Sequence, residues 1–174
     1  LSSIAGNIFG MKAVRNLRLE DIKIPSEILN GFKGPRFGIR GIRNFMKVKD
    51  RPLLGTIIKP KLGLKTKDHT KFALQAFLGG CDFVKDDENL GSQKFNPFYD
   101  RAEQTIDAAD KAKSITGEEK VVFLNVTAET KEMIKRAEFV QKLGGKYVMI
   151  DILTSGWSAV QTLRDLNLNC IIHA

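Results

Sequence analysis

The sequence predicts an α/β fold built around a parallel sheet. From Pro52 onward, short apolar runs rich in β-branched residues alternate with segments of helical periodicity. The intervening segments are long enough to be helical crossovers, which parallel strands need because a tight turn cannot join them. The runs are apolar throughout, not alternating with polar residues, and this suits strands covered on both faces.

Five strands are expected, over residues 53–58, 81–84, 121–125, 147–150 and 168–172. The first helix, 66–77, carries charges on one side and Phe72, Ala73, Ala76 and Phe77 on the other, and Gly79-Gly80 stops it. The second takes Asn96 as its cap and Pro97 as its first helical residue. Phe98, Ala102, Ile106, Ala109 and Ala112 then recur at helical spacing until Gly117. The third begins near Thr130 and carries Met133, Ile134, Ala137 and Val140 before Gly144-Gly145. The fourth follows Gly156 with Trp157, Val160 and Leu163.

Two parallel architectures fit this order, an open doubly wound sheet and a (β/α)8 barrel. The first βα turn has no glycine-rich dinucleotide fingerprint, and no Walker-type loop occurs. Polar residues instead gather where strands end: Lys59 and Lys61 after the first, Lys85 to Glu88 after the second, then Asn125, Asp151 and His173. Barrel enzymes draw their catalytic groups from those ends, so the barrel is favoured, as an incomplete one of five strands. The chain opens without Met and stops directly after the fifth strand, and is expected to be a segment cut at both ends.

Composition narrows the function classes. With 174 residues, 43% hydrophobic and 28% charged, the chain has the make-up of an ordinary soluble globular protein. No apolar stretch approaches the roughly 20 residues that cross a bilayer, so no membrane partner is expected; a cytoplasmic location is read from the two cysteines. Cys81 and Cys170 lie in strand-like runs and suit a reducing compartment better than a disulfide or zinc site. A formal charge of +8 and a pI near 9.5 suggest anionic partners. The basic residues are spread along the chain without interleaved aromatics, which favours a phosphorylated small substrate over nucleic acid. The densest basic stretch, 33–51, is rich in Gly and reads as a connector with a solvated face.

The second strand end carries the most distinctive chemistry. Alternation along a strand sends Lys85 and Asp87 to one side and Asp86 to the other, with Glu88 free to swing back as the backbone curls. Asp87 and Glu88 offer hard oxygen ligands of the kind Mg²⁺ takes. An ammonium at Lys85 would repel such a metal, a conflict removed if the amine is neutralised or converted by CO₂ to an anionic carbamate. The same four residues also fit a solvated turn. At the first strand end Pro60 should close the ladder, leaving Lys59 and Lys61 on one side of the mouth, where they suit proton transfer or phosphate binding. A pair of surface lysines flanking a loop is the alternative.

Gly55-Thr56-Ile57-Ile58-Lys59-Pro60-Lys61-Leu62-Gly63-Leu64 and Gly79-Gly80-Cys81-Asp82-Phe83-Val84-Lys85-Asp86-Asp87-Glu88-Asn89 resemble the ribulose-1,5-bisphosphate carboxylase/oxygenase large chain. The resemblance runs from Ile4-Ala5-Gly6-Asn7 through Leu17-Arg18-Leu19-Glu20-Asp21 to Ile172-His173-Ala174. Asn125-Val126-Thr127-Ala128-Glu129-Thr130 and Gly145-Lys146-Tyr147-Val148-Met149-Ile150-Asp151 are most similar to the archaeal form III branch.

The resemblance implies that residues 1–35 end an N-terminal α+β domain and its linker, and that 36–174 begin the barrel. It implies that Lys85 is the lysine carbamylated by an activator CO₂, and that the carbamate, Asp87 and Glu88 ligate Mg²⁺. It makes the carbamate the base for enolisation, Lys59 the proton-transfer group at the substrate's C2 end, and Lys61 the neighbour that tunes it. Asn7 matches an asparagine that completes the partner subunit's site, so at least a homodimer is implied. Asp86 should point away from the metal.

Ile57 stands where plant-type enzymes carry threonine, and His173 aligns with the first histidine of a His-x-His-Arg segment whose remainder would follow Ala174. A buried or supporting role is expected for His173 and a surface position for His69. The implied reaction is Mg²⁺-dependent carboxylation of ribulose 1,5-bisphosphate to 3-phosphoglycerate, with O₂ as competing substrate; this stretch alone is expected to be inactive. A carboxylase-like enolase or isomerase of sulfur salvage is the alternative enzyme. A basic binding module is the non-enzymatic one.

Overall fold

The computed structural model describes residues 2–174 as two compact units, one ending at Gly34 and one spanning Pro35–Ala174. The first contains α1 (Ser2–Ala5), a 3-10 turn (Asn7–Gly10) and α2 (Ser26–Leu29). The second runs α3 (Gly38–Met46), β1 (Gly55–Ile57), α4 (Thr66–Leu78), β2 (Phe83–Lys85), α5 (Phe98–Thr116) and β3 (Val121–Asn125). It continues through α6 (Thr130–Lys142), β4 (Tyr147–Met149), α7 (Ile152–Ser155) and α8 (Trp157–Asp165) to β5 (Ile171–His173).

The described strands form one parallel sheet in the order β1-β2-β3-β4-β5. Each strand lies beside its predecessor, as in a barrel wall; a doubly wound sheet would reverse direction at a switch point. This is the incomplete barrel of five strands that the sequence favours. Register sets Ile57, Lys85 and Phe123 side by side, and likewise Asn125, Met149 and His173.

Alternation divides the strand residues between two cores. Val84, Val122, Leu124 and Val148 face outward onto Ala73 and Phe77 of α4, Phe98 and Ala102 of α5, and Met133 and Val140 of α6. Phe83, Val121, Phe123, Tyr147 and Met149 fill the inner side. There the Phe83 and Phe123 rings stack at 4.7 Å and the Phe123 and Tyr147 rings at 4.4 Å. A Cβ on Gly55 would lie 2.1 Å from the Phe83 ring, so this position of β1 admits no side chain without moving the stack.

Several elements differ from expectation. Part of the basic stretch 33–51 is the helix α3, whose Ile42, Phe45 and Met46 pack on the inner core. Their spacing is an apolar helical stripe, which the surrounding charges conceal. In α4 the buried stripe is Thr66, His69, Ala73 and Phe77, while Phe72 is exposed. Pro97 occupies the cap position of α5, with no side-chain cap, and the Asn96 side chain instead accepts from Thr66 Oγ1 at 3.1 Å. Trp157 is exposed at the start of α8, where Leu163 supplies the buried contact. Glu129 caps α6 and Asp151 caps the short α7, a helix that periodicity does not reveal. Cys81 and Cys170 are both free.

The entries of β1 and β2 are tied together by Arg51, which donates to both Asp82 oxygens at 2.6 and 2.7 Å, and by the Leu54 N–H, which donates to the same carboxylate at 2.7 Å. The Arg51 bond lowers the Asp82 pKa below its ordinary 3.8, against the upward push of burial. A depressed carboxylate stabilises the fold above its unfolded pKa, and that stability is lost as pH falls through the folded value. Arg51→Met is therefore expected to be less stable than the parent at pH 7, with the gap closing below about pH 4 in urea unfolding series. A gap independent of pH would show that Arg51 acts through packing alone.

Candidate active site

The ends of β1 and β2 bring together four charged groups. Lys85, the last residue of β2, is 7% exposed; its ammonium pairs with Glu88 and lies 3.2 Å from Met149 Sδ. Lys59 follows β1 directly, because the Ile58 N–H donates to the Lys85 carbonyl at 3.1 Å and extends the ladder by one residue. Its Nζ donates to Asp87 Oδ2 at 2.5 Å. The other Asp87 oxygen accepts from the Asn89 backbone N–H at 3.0 Å and from Asn89 Nδ2 at 2.8 Å.

Burial raises the Asp87 pKa, but Lys59 and Asn89 outweigh it and hold the carboxyl at about 2. The Lys85 bond likewise lowers Glu88. Both are anionic at neutral pH, each against one ammonium.

Asp86 turns to the opposite side, into the space between α4 and α5. Its Oδ2 accepts from Arg101 Nε at 3.1 Å and from the Asn125 N–H at 3.0 Å, and its Oδ1 lies 3.3 Å from His69 Nε2. Burial raises its pKa, and Arg101 and His69 outweigh that and hold it low. His69 is thus 2% exposed and not a surface residue: a buried imidazole sits on this helix stripe because a carboxylate faces it. Arg101 is fully buried and also donates to the carbonyls of Asn96 and Gly91 at 2.9 and 2.8 Å. Asn125 Nδ2 reaches the carbonyls of Asp87, Glu88 and Leu90 at 3.3, 3.0 and 3.3 Å.

His173 is exposed at the end of β5, with its ring 5.1 Å from that of Phe123, so of the buried and supporting roles expected for it the buried one does not hold. Partial burial and the Lys85 charge lower its pKa. A depression lined by Glu88, Met149, Asp151, Leu153, Trp157 and His173 opens beside the ion pairs. Lys61 is exposed in the bend after Pro60, and the Lys59–Pro60 peptide is cis. Asn7 is exposed at the head of the 3-10 turn in the first unit.

Arg101, Met149 and Asn89 are absent from the sequence-derived site. Arg101 leaves one trace: with Phe98, Ala102 and Thr105 it occupies a helical stripe that is buried, an improbable place for an unpartnered guanidinium.

The donor set bears on a divalent cation. Among the described residues no three His, Cys, Asp or Glu side chains gather as one metal cluster. Asp87 and Glu88 supply two hard oxygen donors, and the amine beside them is unsuitable as a third while it is cationic. The residues fit Mg²⁺ once Lys85 carries an anionic oxygen group.

The family model for the ribulose bisphosphate carboxylase large chain, catalytic domain, matches residues 38–174, and that for its N-terminal domain matches 1–28. Ribulose bisphosphate carboxylase of Methanocaldococcus jannaschii is 54% identical across 100% of this chain and 41% of its own length. The Methanosarcina mazei enzyme is 56% identical over 95% of this chain and 39% of its own length. Two solved structures superpose with a TM-score of 0.96 over 99% of this chain and 41% of theirs. They are the octameric ribulose-1,5-bisphosphate carboxylase/oxygenase of Pyrococcus horikoshii, 48% identical, and the dimeric archaeal Rubisco of Hyperthermus butylicus, 46% identical. The chain spans about two fifths of the length of these relatives. With the catalytic-domain model matching residues 38–174 and the N-terminal-domain model matching 1–28, the chain belongs to the ribulose bisphosphate carboxylase large chain family.

Proposed function

We propose that the whole protein is a Mg²⁺-dependent carboxylase that converts ribulose 1,5-bisphosphate, CO₂ and water to 3-phosphoglycerate, with O₂ as the competing substrate. The observation that carries this is the Lys85 amine, 7% exposed at the end of β2 and touching Glu88, beside an Asp87 held ionised by Lys59 and Asn89. The Lys85 ammonium first loses a proton to solvent; attack of the resulting neutral amine on an activator CO₂ then forms the N–C bond of a carbamate and releases a second proton. Lys85 thereby changes from cation to anion. The carbamate, Asp87 and Glu88 then hold Mg²⁺, which when bound supplies electrostatic stabilisation of charge on the substrate oxygens.

Lys59 leaves Asp87 on loading and moves protons at the substrate's C2 end. Lys61, one residue beyond Pro60, adjusts the charge around it and draws the anionic substrate to the mouth. Asn7 serves the partner subunit's site, so the working unit is a homodimer or an assembly of dimers; the dimeric and octameric relatives support this. Residues 1–35 belong to the N-terminal domain and its linker, and 36–174 to the barrel. We place the protein in the cytoplasm; no helix among the described residues is long and apolar enough to cross a membrane.

The full-length protein, supplied with ribulose 1,5-bisphosphate, Mg²⁺ and labelled CO₂, should label 3-phosphoglycerate. No label above a Mg²⁺-free control sinks the carboxylase reading, and enolisation without fixation would favour the salvage-type enolase.

A further inference from the structure

We infer that Asp86, Arg101 and Asn125 form a clamp that fixes the backbone presenting Asp87 and Glu88, and that they are positioning residues for metal binding; this rests on the reading of the site proposed above. Residues 86–97 link β2 to α5 with no strand or helix of their own beyond one bridge between Gln93 and Asn96. A free loop of that length would leave Glu88, whose side chain is 52% exposed, in many positions.

The loop is held instead by side chains from α5 and β3. Arg101 takes the carbonyls of Gly91 and Asn96, and Asn125 takes those of Asp87, Glu88 and Leu90. Asp86 joins the two holders, because one of its oxygens accepts from both Arg101 Nε and the Asn125 N–H. His69 Nε2 lies 3.3 Å from the other oxygen without a hydrogen bond to it.

A buried ion pair adds little net stability compared with an apolar packing of the same shape. What this one provides is geometry: five carbonyls of the ligand-bearing loop are held by two side chains. Such outer partners commonly account for tenfold to a hundredfold in metal affinity.

The test is a Mn²⁺ titration of the full-length protein followed by electron paramagnetic resonance, with and without CO₂, alongside thermal melting. Arg101→Lys keeps the charge opposite Asp86 and loses the forked donors. Asn125→Ala keeps the ion pair and loses the three carbonyl bonds. Both are expected to weaken CO₂-dependent Mn²⁺ binding by about tenfold or more. A merely structural role would lower the melting temperature and leave the affinity of the folded molecules unchanged, which would overturn the clamp. If Arg101→Lys fails to fold, the affinity of Asn125→Ala decides on the same criterion. A parent protein without CO₂-dependent Mn²⁺ binding would overturn the reading of the site and the clamp with it, whereas a parent that binds beside variants that bind equally well removes the clamp alone.

Discussion

Lys85→Ala in the full-length protein is expected to abolish activation by CO₂ and Mg²⁺. The amine sits at the end of β2, against Glu88 and Met149, with little exposure to solvent. Its removal leaves Asp87 and Glu88 as the carboxylate donors of this cluster, with no amine at the end of β2 for CO₂ to modify. Metal stabilisation of developing charge is worth several kcal/mol, and each 1.36 kcal/mol is a factor of ten, so turnover should fall roughly a thousandfold or more. The check is activity after preincubation with CO₂ and Mg²⁺, together with carbamate content by labelled CO₂ trapping. Full activation of the variant would overturn the carbamate assignment.

Lys59→Ala should separate binding from turnover. The Lys59 ammonium holds Asp87 at 2.5 Å, so it competes with a metal for the same oxygen. Asn89 remains on the other oxygen in the variant and keeps two hydrogen bonds to the carboxylate. Asp87 therefore stays ionised at neutral pH, and Mn²⁺ affinity is expected to hold or to rise slightly. Loss of a positioned proton-transfer group lowers turnover by about a hundredfold to ten-thousandfold. If affinity and turnover fell together, Lys59 would be a counter-ion that shapes the site and not a group that acts on substrate.

Most of the architecture is legible from local pattern because it depends on local chemistry. β3 occupies the expected 121–125, and α6 begins at Thr130 with Met133, Ala137 and Val140 inside. Those segments carry continuous apolar runs or an unbroken stripe. The misreadings occur where a distant partner decides the outcome. Phe72 looks like core and is exposed, whereas His69 looks like surface and is buried, since the Asp86 carboxylate just after β2 faces it. α3 is hidden because its apolar stripe is embedded in basic residues that face away from the inner core.

The same division holds at the site. Lys59, Lys85, Asp87 and Glu88 follow from strand ends and alternation, and the structure sets them within reach of one another. Arg101, fifteen residues beyond Asp86 and on a helix, enters only through a tertiary contact, which periodicity in one segment does not encode. Asn7 belongs to the other unit, and its part in the site rests on family likeness.

Asp86 and Asp87 are chemically identical neighbours placed in opposite surroundings, and this makes the Lys-Asp-Asp-Glu run legible in one reading frame only. The register sets Lys85 beside Ile57 and Phe123. A slip of one residue would turn every side chain of β2 over. A slip that brings Lys85 to the position of Asp86 would set its ammonium against the buried Arg101 guanidinium and remove the carboxylate that Arg101 needs, a penalty of about 3–5 kcal/mol for a buried charge left unpaired. The outer layer thus helps to fix the register of the strand, because the contact that Arg101 makes with Asp86 also decides which side chains reach the mouth.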